Sequence, residues 1–345
     1  MKHDSLFSPL KLPGGVTLKN RLVMAPMTRS MADEALAPTE TMARYYGRRV
    51  DTGLIVGEAT IVSPMAQGYP NTPGLYSDNQ VAGWRKVTDA VHAGGGKIFA
   101  QIWHCGRVSH PHYLDGQLPM APSAVKLTGR VPRGNGLQYG MPREMTAGEV
   151  RNVILEFKRA AANARRAGFD GVELHAANGY LLDQFLHWET NRRTDEWGGT
   201  PDKMVRMLLE VIDAAQQEIG AVAVRLSPVG HQHLTLNPDD KAVSDLLLSR
   251  LNELSLAYVH NGSHDDRHYD YIGGTVTQYL RDHYRGIVIA CGGYSPQAAR
   301  QLLGDGGADL VAIGRPLIAN PDYVDRVRCG QALEEYDASM LSELV

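Results

Sequence analysis

Short β-branched runs alternate eight times with longer helical stretches, and this alternation restricts the fold more than any other property of the chain. The strand candidates are Leu22–Ala25, Gly53–Glu58, Lys97–Trp103, Gly171–His175, Ala221–Leu226, Ala257–His260, Ile287–Cys291 and Leu310–Ile313. The helical patterns between them are Thr39–Val50, Val81–Ala93, Thr146–Ala167, Lys203–Ile219, Lys241–Leu254, Thr275–Tyr284, Pro296–Leu303 and Pro321–Val327. Thr146-Ala-Gly-Glu149 has the form of a capping box, and Arg166-Ala-Gly168 reads as a helix end closed by glycine. A strand that returns through a helix to the next strand gives parallel neighbours. Eight such units in 345 residues predict an α/β fold, a single (β/α)8 TIM barrel domain over 1–345. A doubly wound open sheet is disfavoured: no G-x-G-x-x-G follows an early strand, and no phosphate loop of the G-x-x-x-x-G-K-[ST] form occurs.

Two regions break the period. Residues 1–20 carry Leu10-Lys-Leu12 and Val16-Thr-Leu18 around Pro13-Gly-Gly15, which predicts an N-terminal β-hairpin at the bottom of the barrel. Residues 104–145 form a long excursion after strand three, rich in Pro, Gly and His. A loop of that length at a strand's C-terminal end points to function. The 36 glycines, about a tenth of the chain, are scattered rather than periodic. They suit tight turns or close approach of the backbone to a ligand.

Composition excludes several classes. Charge is nearly balanced, 35 Lys+Arg against 38 Asp+Glu, so the basic footprint of a nucleic-acid binder is missing. Cys105, Cys291 and Cys329 lie far apart with no Cys-x-x-Cys, which excludes a disulfide framework and a four-cysteine metal cluster and fits a reducing compartment. The first residues hold no apolar leader core, and no run approaches the ~18 apolar residues of a membrane span. The expectation is a soluble cytoplasmic protein, monomer or homodimer, with no membrane partner.

A barrel places chemistry at the C-terminal ends of its strands. Those ends read Ala25-Pro-Met-Thr-Arg29, Glu58-Ala-Thr60, Gln101-Ile-Trp-His104, Glu173-Leu-His-Ala-Ala-Asn-Gly-Tyr180, Val224-Arg-Leu-Ser-Pro228, His260-Asn-Gly262, Cys291-Gly-Gly293 and Ile313-Gly-Arg-Pro316. Barrels often bind phosphate after strands seven and eight. Gly292 and Gly293 would let backbone N–H groups approach the anion, Ser295-Pro296 opens a helix there, and Arg315 adds a cation. The plainer alternative is turn glycines beside a surface arginine. Arg225 stands in an apolar strand, where an unpaired charge is costly. It is either half of a structural ion pair or a cation facing negative charge on a ligand ring. His175, Asn178 and Tyr180 could converge on one oxygen, two as donors and the phenol as a proton source, or could simply be satisfied within the fold. His104, His110 and His112 lack the partners of a known metal motif, so no metal is expected. Glu189–Gly199 reads as an ordered loop packed on the barrel.

These stretches resemble the old yellow enzymes, FMN-dependent ene-reductases on a (β/α)8 barrel. The resemblance rests on Asn20–Arg29, Gln101-Ile-Trp103, Gly171–Phe185, Asn191–Gly199 and Ala308–Pro321, in family order over about residues 5–330. It implies a tightly bound, non-covalent FMN reduced by NADPH or NADH. Pro26, Met27 and Thr28 would lie along the flavin, Ala59 and Gln101 at its pyrimidine side, and Arg225 at the edge that becomes negative on reduction. Gly292, Gly293, Gly314 and Arg315 would hold the phosphate. His175 and Asn178 would bind the carbonyl oxygen of an enone, or the equivalent oxygen of a nitro compound. Tyr180 would donate the proton, with Tyr69 and Trp103 as cavity walls. The family usually continues into an aromatic tail where this chain reads Tyr336–Val345, and the stretches His231-Gln-His233 and Asn261–Tyr271 also differ from its pattern. The alternatives are a flavin oxidase or isomerase of a specialised pathway, and a phosphate-binding barrel without redox chemistry.

Overall fold

The computed structural model describes residues 4–345; the first three residues, part of the stretch searched for a leader, lie outside it. Eight parallel strands close into a ring: β1 (Leu22–Met24), β2 (Leu54–Val56), β3 (Ile98–Trp103), β4 (Gly171–Ala176), β5 (Val222–Leu226), β6 (Val259–Asn261), β7 (Val288–Ala290) and β8 (Leu310–Ile313). Each pairs with the next, and β8 pairs back to β1. The major helices follow in chain order: α1 (Glu40–Gly47), α2 (Asp78–Ala93), α3 (Ala147–Arg166), α4 (Pro201–Gln216), α5 (Asp240–Leu251), α6 (Val276–His283), α7 (Pro296–Gly304) and α8 (Tyr323–Cys329). This is the predicted (β/α)8 barrel.

Boundaries moved for identifiable reasons. The periodic pattern starts α2 at Val81, but the helix begins at Asp78 because Ser77 and Gln80 form a capping box. Pro201 takes the first turn of α4, where its missing N–H costs nothing, so that helix starts before Lys203. The Thr146–Glu149 box opens α3 as expected, with Thr146 Oγ1 accepting from Glu149 N at 3.2 Å. Two short helices, Leu181–Leu186 and Arg315–Ala319, were not expected. Each directly follows a strand-end motif and is too short for periodicity to separate it.

Alternate side chains of a strand point to opposite faces. The inward row starts with Val23, Leu54, Phe99, Ala223, Tyr258, Ile289 and Leu310, which form one buried cluster. Leu12, Val16 and Leu18 join it from the hairpin Leu10–Lys11/Thr17–Leu18, which therefore plugs the bottom of the barrel. Gly171 makes room there, since a Cβ would meet the Phe99 ring at 2.5 Å. Outward residues pack against the helices in the larger apolar cluster. Two residues further up, the same inward rows become polar: Gln101, Glu173, Arg225, His260, and then His175. Register sets Gln101 beside Glu173, and Arg225 between His175 and His260. Among the described residues no helix is long and apolar enough to cross a membrane.

Candidate active site

Burying charge in a barrel requires partners. Glu173 is fully buried and has two: Gln101 Nε2 donates to Oε1 at 2.7 Å, and His260 Nδ1 lies 2.9 Å from Oε2. Burial pushes the Glu173 carboxyl upward, but His260, Arg225 and Gln101 outweigh it and hold it below the usual carboxylate range. Burial opposes charge on His260 as well, and Glu173 reverses this and raises it. The two form a buried ion pair. That leaves Arg225 without a carboxylate within ion-pair distance among the described residues. Its Nη2 contacts Cys291 Sγ at 3.9 Å, and its buried Nε has no partner. The structural ion pair considered from sequence is therefore not made.

His175 lies one strand away, between aromatic rings. Trp103 stacks on it with centroids 5.7 Å apart, and Tyr180 meets it edge-on at 4.9 Å. Burial, with the nearby Arg225 and His260 charges, holds the imidazole well below its ordinary pKa, so it is neutral at pH 7. Its buried Nδ1 has no partner, and neither has Trp103 Nε1.

After β4 the chain turns sharply through Asn178 (φ 62°) and Gly179 (φ 76°). A Cβ at Gly179 would meet His233 Cβ at 2.6 Å, so the turn needs glycine twice over. Asp183 Oδ2 accepts Gly179 N at 2.8 Å, and Gln184 Nε2 donates to Gly179 O at 2.7 Å. Both come from the short helix Leu181–Leu186, which pins the turn. Ser227 Oγ, at the end of β5, accepts Asn178 N at 2.9 Å and lies 3.4 Å from Asn178 Oδ1. With its oxygen occupied, the Asn178 amide keeps its N–H donors for another partner. The Tyr180 hydroxyl bonds that of Tyr69 at 2.8 Å.

These groups surround a cavity of about 390 Å³, within the range of small-molecule sites. Pro26, Met27, Thr28, Gln101 and Arg225 line one part, Trp103, His175, Asn178 and Tyr180 another, and Gly293, Gly314 and Arg315 the end after β7 and β8. Three expected residues are not among this lining. Tyr69 stands one layer back, stacked on Trp103 at 5.6 Å. Ala59 is buried among apolar neighbours. Gly292 does not line the cavity, and a Cβ there would meet Asp266 Cβ at 2.4 Å. Its glycine makes room for the loop after β6. The start of α7 contributes only Tyr294 to the lining, and Ser295 Oγ already caps Ala298 N at 3.2 Å.

The strand-end motifs contain Glu173, His260 and Cys291 but give them no role. Strand parity alone would have found them, as they share the inward rows of Gln101, Arg225 and Ile289. Gln232, His264 and Tyr294 also line the cavity. They arrive on irregular loops, where no sequence period places a side chain.

The described residues fit a flavin mononucleotide on the structure's own terms. Buried, unpartnered donors face one cavity, a cation without a carboxylate stands in its wall, and Gly293 (φ 80°) leaves open space where a Cβ would be. A family model described as NADH:flavin oxidoreductase / NADH oxidase matches residues 5–334. The chain is 38% identical to 12-oxophytodienoate reductase 7 of Oryza sativa subsp. japonica, over 97% of this chain and 90% of that one. A probable flavin mononucleotide-dependent alkene reductase of Leishmania infantum is 38% identical, over 97% and 93% of the two chains. Among solved structures, morphinone reductase in complex with tetrahydroNAD superposes with a TM-score of 0.89 at 41% identity, covering 98% of this chain and 94% of the other. The old yellow enzyme homologue from Zymomonas mobilis gives 0.91 at 36% identity, over 98% and 96%.

Proposed function

The chain belongs to the NADH:flavin oxidoreductase / NADH oxidase family, and from that premise we propose which of its residues carry each part of the reaction. It is an FMN-dependent ene-reductase that uses NADH or NADPH to reduce activated C=C bonds. When bound, FMN supplies the hydride. Gly293, Gly314 and Arg315 would hold its phosphate, Pro26, Met27, Thr28 and Gln101 would pack along the ring, and Arg225 would stabilise the negative charge of its reduced form.

The remaining work falls to the polar cluster above. Neutral His175 and the oriented amide of Asn178 bind the substrate's carbonyl oxygen and draw charge toward it. Tyr180 keeps its proton, because burial raises the phenol far above its ordinary pKa, and delivers it to the α-carbon. Trp103, backed by Tyr69, walls off water. The observation that carries this reading is the buried, unpartnered Nδ1 of His175 beside Asn178 and Tyr180 in one cavity. Enones or nitro compounds suit two donors aimed at one oxygen. We read residues 1–345 as one FMN-binding domain and place the enzyme in the cytoplasm, on the support of three unpaired cysteines.

The test is kinetic. Tyr180→Phe should slow oxidation of the reduced enzyme by 2-cyclohexenone by roughly 10²–10⁴ while leaving reduction by NADPH intact. His175→Ala should lose binding of a phenol ligand. Unchanged oxidation in the first variant, or unchanged phenol binding in the second, removes that residue from its role.

A further inference from the structure

A buried acid that gives up its proton must recover it before the next turnover. Tyr180 is only 8% exposed. It is walled by Trp103 with ring centroids 4.4 Å apart, and its hydroxyl bonds the Tyr69 hydroxyl at 2.8 Å. Tyr69 is equally buried. Its hydroxyl also lies 3.4 Å from His233 Nε2. His233 is partly exposed and belongs to the loop after β5 that departs from the family pattern. The loop is held in place: Arg107 Nη2 donates to His233 O at 2.6 Å and to Glu189 Oε1 at 2.7 Å.

We propose that Tyr69 and His233 form a proton wire that reloads Tyr180 from solvent. The proposal rests on Tyr180 being the proton donor. When Tyr180 gives its proton to the α-carbon, its oxygen takes the Tyr69 proton, Tyr69 takes one from His233 Nε2, and the imidazole takes one from water on its other nitrogen. Each O–H or N–H bond broken is replaced by one formed; the imidazole is left as its other tautomer and resets by releasing that proton to water and taking one at Nε2, so a full cycle draws one proton from solvent.

The surroundings suit this chemistry. Burial, with Cys105 and Tyr139 nearby, outweighs the Tyr69 hydrogen bond and Arg225, so a phenolate at Tyr180 is disfavoured and takes up a proton readily. Burial, Arg107 and His231 bring the His233 pKa down to about 4. The ring is therefore neutral at pH 7, with one nitrogen to accept and one to donate. Tyr139 packs edge-on against it at 5.9 Å. Tyr69 and His233 act through Tyr180 and are positioning residues.

The experiment compares first-turnover oxidation of NADPH-reduced enzyme by 2-cyclohexenone with steady-state kcat in the same buffer. His233→Gln should lower the ratio of kcat to first-turnover rate by about tenfold or more, a modest share of what a general acid step supplies. Added imidazole should restore it, which a purely structural loss would not show. Tyr69→Phe should lower the same ratio. If His233→Gln binds FMN poorly, His233→Asn is read the same way. A ratio that stays at the wild-type value in both the His233 and Tyr69 variants overturns the wire. Normal first-turnover oxidation in Tyr180→Phe overturns instead the donor role on which it rests.

Discussion

Asp183 grips His187 through Oδ1 at 3.1 Å while its other oxygen holds the Gly179 amide. Asp240 takes the opposite ring nitrogen at 2.7 Å. An imidazole bonded to a carboxylate at each nitrogen is a cation, and this one is almost completely buried. Burial opposes the charge, but Asp183 and Asp240 outweigh it and push the His187 pKa up to about 10. The folded value lies above the unfolded value near 6.5, so the stabilisation is complete below about pH 6.5 and fades as pH rises toward 10. His187→Gln should therefore cost roughly 3–5 kcal/mol at pH 6, as expected for breaking a buried ion pair. The difference in Tm from wild type should shrink across pH 7–10. A pH-independent difference would mean the ring is uncharged.

Glu58 poses the opposite case. It is buried, with Oε2 accepting Arg29 N at 3.1 Å and Ser30 N at 3.2 Å. Burial dominates these contacts and raises its pKa from 4.5 to about 7. The folded value again exceeds the unfolded one, but here the ionised form is the disfavoured one. Stability falls as pH rises from about 4.5 to 7, by roughly 3 kcal/mol at 1.36 kcal/mol per pKa unit. Glu58→Gln keeps an oxygen for both amides and removes the charge. It should raise Tm at pH 8 and leave it nearly unchanged at pH 4.5, as measured by thermal unfolding. A lower Tm at pH 8 would show that the carboxylate is needed.

The barrel was legible because eight repeats of one pattern leave few alternatives, and strand ends locate its chemistry. Arg225, His175 and Tyr180 stood out as polar groups in or beside apolar strands, and all three line the cavity. Gly292 shows what local reading misses. A Gly-Gly pair looks like a phosphate turn, yet one glycine yields to Asp266, 26 residues back in the chain. The Asp183–His187–Asp240 cluster was invisible for the same reason. Its i,i+4 half reads as an ordinary helical pair, and its other half arrives on α5, 53 residues later.

The two glycines therefore separate experimentally. Ala at 293 meets no heavy atom within 4 Å, though its φ of 80° costs about 1–2 kcal/mol and its methyl enters the cavity end. Gly293→Ala should weaken FMN binding by about tenfold or more, a loss near 1.4 kcal/mol. Gly292→Ala should act first on the FMN-free protein, lowering its Tm through the clash with Asp266. FMN titration by fluorescence quenching and melting of the stripped protein read the two effects. Equal FMN affinity in Gly293→Ala and wild type would remove Gly293 from the phosphate site.

Cys291 reports on the same cavity without any turnover. Burial raises its thiol, but His260 and Arg225 outweigh that and hold it below the ordinary cysteine range. The thiolate is the reacting form, so a cysteine held this way alkylates readily once a reagent can reach it. Cys291 lines the cavity, whereas Cys105 is buried and Cys329 is exposed. In FMN-stripped protein at pH 7, iodoacetamide should label Cys291 and Cys329 and spare Cys105, as read by peptide mass mapping. Restoring FMN should protect Cys291 alone. Arg225→Gln should slow its labelling in the stripped protein, because the cation favours the thiolate. Protection that fails on adding FMN would place the flavin away from β7, and with it the assignments of Arg225 and Gly293.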